Sequence, residues 1–171
     1  MPATAVDGVS EGVASAPAAL TVAGSTESRA KPKCVEEHMQ QTATVLVYSD
    51  NSTTREQIRL ATGRRPAADV PQVEFVECAT LPAVLAELER GGIDVCVLDG
   101  EAVPAGGMGV CRQIKDEVYD CPPVLLTIGR PQDAWLATWS RAEAAVTLPV
   151  EPVEFAAALA GLLRARLSVG T

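Results

Sequence analysis

Between residues 44 and 148, short apolar runs alternate with longer stretches that carry helical periodicity. The runs are TVLVYS (44 to 49), VEFVEC (73 to 78), IDVCVL (93 to 98), PVLLTI (123 to 128) and AAVTL (144 to 148). Their length and β-branched content predict strands, and their alternation with helices predicts βαβ units around a parallel sheet. The first, third and fourth runs are apolar almost throughout, as expected of central strands covered on both faces.

The intervening helices carry start and stop signals. Thr53 and Glu56 have capping-box spacing ahead of Ile58 and Leu60. A second helix should open at Thr80 with Pro82 in its first turn, present Val84, Leu85 and Leu88 on one face, and stop at Gly91-Gly92. A third should cover roughly Met108 to Val118, and Asp133 is placed to cap a fourth. Pro152 should open a fifth, with Phe155, Leu159, Leu162 and Leu163 as its apolar stripe.

Residues 1 to 42 differ in kind, being rich in Ala, Ser, Thr, Gly and Val without periodicity. Such a segment cannot offset its ordering entropy alone, so the expectation is a disordered tail or an arm ordered by a partner. It lacks the charged start and compact apolar stretch of a signal peptide, and no apolar run reaches membrane-spanning length. The domain proper is expected over residues 43 to 168.

Composition narrows the chemistry. At 171 residues, one well-packed domain is expected, and with only 4% aromatics its core must come from Val, Leu, Ile and Ala. The net charge of −8, of which −6 belongs to residues 43 to 171, leaves no basic footprint for nucleic acid or anionic lipid. Five cysteines without CxxC spacing fit reduced thiols and a cytoplasmic location. The single histidine, His38, and the absence of GxGxxG, GxxxxGK[ST] and GxSxG leave a hydrolase or nucleotide enzyme with little support.

In an open sheet of order 2-1-3-4-5, ligands bind beyond the carboxyl ends of strands one and three. Asp50 follows the first strand and Asp99 ends the third, so the topology alone would bring two carboxylates together. Paired carboxylates suit a hard cation such as Mg2+, although aspartates at strand ends are also ordinary turn residues. The glycines Gly106, Gly107 and Gly109 read either as a phosphate cradle or as a plain surface loop. They lack the P-loop lysine.

The segments VLVYSDN, DVCVLDGEAVPAGG, PPVLLTIGR and VTLPVEP, in that order and spacing, resemble the receiver domain of two-component response regulators over nearly all of residues 44 to 167. The resemblance implies a flavodoxin-like (βα)5 fold and makes Asp99 the candidate phospho-acceptor, with Asp50 and Asp99 as the Mg2+ ligands. It also exposes departures. Ser49 stands where the family has a second acidic residue. At the end of strand four, Ile128 falls at the hydroxyl position, with Thr127 one place early. Leu148 replaces the lysine before Pro149, and Pro104 lies one place later than usual. Losing one preorganised donor from such a site costs on the order of 10²- to 10³-fold in rate. Ser49 also removes a carboxylate, so the expectation is no required cofactor and at most a weak Mg2+ site.

In receivers, the face built from helix four, strand five and helix five usually meets the partner. Here Trp135 and Trp139 lie four apart on helix four, either as interface anchors or as packing on the sheet. No output domain follows helix five, so signalling is expected through direct contact. The segments VLVYSDN with TREQIRLATGRR, GGIDVCVLDGE and GRPQDAWLATWSRAEAAV further resemble actinobacterial orphan receiver-like proteins linked with respiratory complex I, the proton-pumping NADH:quinone oxidoreductase. That resemblance implies an accessory subunit on the hydrophilic part of the complex, on the cytoplasmic side of the inner membrane. The other reading is a working phosphorelay receiver, phosphorylated on Asp99 by a histidine kinase.

Overall fold

The structure is a computed structural model, and it describes residues 42–169. The tail expected over residues 1 to 42, with Cys34 and His38, lies outside the described residues save for Thr42, which opens the first strand.

The elements alternate as anticipated: β1 (Thr42–Tyr48), α1 (Ser52–Thr62), β2 (Gln72–Cys78), α2 (Leu81–Arg90), β3 (Val95–Asp99), α3 (Gly107–Glu117), β4 (Val124–Ile128), α4 (Ala134–Ser140), β5 (Ala144–Thr147) and α5 (Pro152–Val169). A 3-10 turn, Pro131–Asp133, leads into α4. All strands pair in parallel in the order β2-β1-β3-β4-β5, so β1, β3 and β4 are indeed central.

Side chains alternate across each strand, and the alternation divides the core into two layers. Leu46, Tyr48, Cys96, Leu98, Val124, Leu126 and Ile128 face one side, where they pack with Val84 and Leu88 of α2 and Val110, Cys111 and Ile114 of α3. Val45, Val47, Val95, Val97, Leu125 and Val146 face the other, against Ile58 of α1 and Phe155, Leu159, Leu162 and Leu163 of α5. The apolar stripe read on α5 is thus the one that is buried.

Helix starts match the sequence signals with two corrections. On α2 the Thr80 side chain accepts from the Ala83 amide, Pro82 sits in the first turn, and Gly91 closes the helix at a φ of 76° that favours glycine. On α1 the cap is Asn51 rather than Thr53: Asn51 Oδ1 accepts from the Thr53 amide at 2.9 Å. Asparagine is as good a cap as threonine and precedes it, so it takes the role first. Asp133 occupies the N-cap position of α4 without capping it, because its carboxylate pairs with Arg130 at 3.0 Å.

Candidate functional site at the carboxyl edge of the sheet

The same alternation that sorts the core also builds the site. Ser49 continues the series Val45, Val47; Asp99 continues Val95, Val97; Thr127 follows Leu125. All three therefore emerge on the α1/α5 face, and the β3–β4 register sets Asp99 directly opposite Thr127. Ile128 points the other way, into the core layer beneath α2 and α3. This corrects the placement of Ile128 at the hydroxyl position: Thr127, one place earlier, reaches the site, and Ile128 is a core residue. The strand end alone does not decide between the two residues; the pairing register with β3 does.

Asp99 is 3% exposed. Its Oδ2 accepts from the Ser49 hydroxyl at 2.7 Å. Its Oδ1 accepts from the Glu101 amide at 3.0 Å and from the Thr127 hydroxyl at 3.3 Å. Ser49 and Thr127 are fully buried, and Ser49 Oγ also accepts from the Asn51 amide at 3.1 Å. Among the described residues, no buried side-chain nitrogen or oxygen lacks a partner. Asp50 is exposed, and its Oδ1 accepts from the Val103 amide at 3.3 Å, across the loop that follows β3.

That loop is held from below by Tyr48, whose buried hydroxyl donates to the Ala105 carbonyl at 2.6 Å. Burial, then the negative charges of Asp50 and Asp99, hold the phenol above its ordinary range. In the sequence Tyr48 is simply part of an apolar strand. The signal for its role was a single tyrosine among aliphatic residues, since a buried phenol usually finds a hydrogen-bond partner.

Gly106 and Gly107 of the glycine cluster serve helix packing. Gly107 opens α3, and a Cβ there would collide with the Asp99 carbonyl oxygen; Gly100 is equally tight, its Cβ falling 2.5 Å from the Thr127 carbonyl. Gly109 faces open space. The glycines thus allow the α3 terminus to sit on the end of β3.

Asp50 and Asp99 are the two carboxylates that the strand ends of β1 and β3 bring to this edge. Among the described residues, no three His, Cys, Asp or Glu side chains gather as a metal cluster. Leu148 lies half-buried just after β5, two residues beyond inward-facing Val146, and its amide donates to the Ile128 carbonyl at 2.8 Å. It brings neither charge nor side-chain donor.

Away from the pocket, Trp135 and Trp139 are 65% and 52% exposed, so sheet packing does not account for them. The Arg112 guanidinium lies 5.8 Å from the centre of the Trp139 ring and donates to its carbonyl oxygen. No described helix is long and apolar enough to cross a membrane.

No family model matches the chain. It is 54% identical over 121 residues to proteins named uncharacterized response regulatory protein in Mycobacterium tuberculosis strains CDC 1551 / Oshkosh and ATCC 25618 / H37Rv. The match spans 71% of this chain and 91% of theirs. In fold it is similar to a response regulator receiver domain protein from Clostridium thermocellum, with a TM-score of 0.61 at 21% identity, covering 74% of this chain and 98% of that one. A CheY-like receiver domain protein from Methanospirillum hungatei gives 0.58 at 14%, covering 75% and 98%. With its strand order, its buried Asp99 at the end of β3 and relatives of this identity, the chain belongs to the response regulator family, and its described residues form a receiver domain.

Proposed function

We propose that this receiver domain is a protein-interaction module working independently of phosphorylation, docked as an accessory subunit on the hydrophilic part of NADH:quinone oxidoreductase. The observation that carries the reading is the exposure of both tryptophans on α4. That helix has no charged residue, and its exposed Ala134, Trp135, Thr138 and Trp139 are bordered by Arg112, Arg130 and Arg141. Tryptophan and arginine are the side chains enriched where interfaces concentrate their binding energy.

Two features of the pocket support independence from phosphorylation. Phosphoryl transfer needs cations around the moving group, and Leu148 supplies none. Ser49 leaves one carboxylate fewer for a metal. The specific partner comes from the resemblance of the α1, β3 and α4 segments to complex I-linked orphan receivers. On this reading the protein works in the cytoplasm, peripheral to the inner membrane through the complex.

Mild-detergent purification of the tagged chain from native membranes, followed by mass spectrometry, tests the reading. Subunits of the oxidoreductase should appear in stoichiometric amount and be lost with Trp135→Ala/Trp139→Ala. A chain purified without a stoichiometric partner would sink the proposal.

A second reading has one observation in its favour: the Thr127 hydroxyl lies within hydrogen-bond reach of Asp99, as a working acceptor site requires. In that reading a histidine kinase phosphorylates Asp99. Incubation with a small-molecule phosphodonor and Mg2+ should then add one phosphoryl mass that an Asp99→Ala control lacks.

A further inference from the structure

We infer that Ser49 decides the ionic character of this pocket, its hydroxyl taking over the role of a divalent cation in satisfying Asp99. A buried carboxylate must be compensated by opposite charge or by hydrogen bonds. Asp99 has three neutral donors, on Ser49, Thr127 and the Glu101 backbone, spread over both oxygens. The shortest of the three is the Ser49 bond, at 2.7 Å between two buried groups.

The same bond works against Mg2+. That ion demands near-octahedral oxygen ligation and sheds water reluctantly, so it depends on carboxylates to hold it. Ser49 directs its proton, not a lone pair, at the carboxylate. The other strand-end carboxylate, Asp50, is exposed, and its Oδ1 accepts from the Val103 amide. With Asp99 Oδ2 taken by the Ser49 proton and Asp50 Oδ1 by the Val103 amide, the two carboxylates are a poor fit for the ion that receiver domains hold. Ser49→Asp would reverse both effects, removing the donor and setting a third negative charge beside Asp99. The pocket would then be strained without a cation and relieved by one. The inference concerns the pocket alone, so it and the docking reading fail separately.

The test uses the full chain. Thermal unfolding is followed in EDTA and in millimolar MgCl2 matched with NaCl for ionic strength, and Mn2+ binding is followed by the paramagnetic resonance of the free ion. The wild-type midpoint should be the same in both buffers, with Mn2+ left free. Ser49→Asp should melt about 3 to 10 °C lower in EDTA, recover in MgCl2 and take up Mn2+. Ser49→Ala, which removes the donor without adding charge, should melt lower in both buffers. Wild-type uptake of Mn2+, a wild-type midpoint raised by MgCl2, or a folded Ser49→Asp that ignores both ions would each overturn the inference. If Ser49→Asp does not fold, the wild-type titration and Ser49→Ala decide. A wild type that takes up Mn2+ yet co-purifies with the oxidoreductase would overturn this inference and leave the docking reading standing.

Discussion

Ser49 Oγ and Asp99 Oδ2 meet at 2.7 Å across the β1–β3 seam, joining the ends of two central strands through a bond buried on both sides. Removing the acceptor is therefore expected to weaken the fold. Asp99→Ala leaves the Ser49 and Thr127 hydroxyls and the Glu101 amide without their partner, and should cost roughly 1 to 3 kcal/mol in chemical denaturation. Asp99→Asn keeps an acceptor oxygen and should lose less. An Asp99→Ala protein more stable than wild type would show that repulsion, not hydrogen bonding, dominates the pocket.

Tyr48→Phe should remove the bond to the Ala105 carbonyl with little change in packing, at a cost of about 1 kcal/mol. The effect should be local. Hydrogen exchange should quicken in the loop between β3 and α3 while the strand amides keep their protection.

Two glycines of α3 should respond in opposite directions to the same substitution. Gly107→Ala forces a methyl group onto the Asp99 carbonyl and should destabilise by about 1 to 3 kcal/mol. Gly109→Ala enters open space inside a helix and should stabilise by up to about 1 kcal/mol. Urea midpoints of the two variants supply the comparison.

The buried thiols predict an alkaline limit. Burial pushes Cys111 from its ordinary 9.0 up to about 11, and burial moves Cys78, Cys96 and Cys121 in the same direction. Below 9.0 the thiols are protonated whether the chain is folded or not, so this contribution to stability is fully present. Above it the unfolded chain releases protons that the folded chain retains, and stability falls as the pH climbs toward 11. Denaturation midpoints under reducing conditions should be flat from neutral pH to about 9 and then decline.

The sheet was readable in the sequence because its central strands are apolar on both faces and its helices carry local punctuation, such as Thr80 with Pro82 and Gly91-Gly92. Asp50 and Asp99 were legible for the same reason, since strand ends and topology fix their place. Harder to read was which of two adjacent residues faces the site. A strand buried at every position, such as Val124–Ile128, gives no alternation to count, so Thr127 and Ile128 could not be told apart without the β3–β4 register. The Tyr48 to Ala105 bond spans 57 residues and depends on a loop path that no local pattern encodes. Whether Trp135 and Trp139 were buried turned on the rotation of α4 about its axis, which a seven-residue helix barely specifies.

Parallel pairing also gives the domain a polarity useful to the experimenter. β1 enters at Thr42 and delivers Ser49 to the pocket seven residues later, a run of about 20 Å for strand geometry. A fluorophore or affinity handle joined just ahead of Thr42 would attach at the edge of the sheet opposite Asp99, leaving the pocket unobstructed for titration.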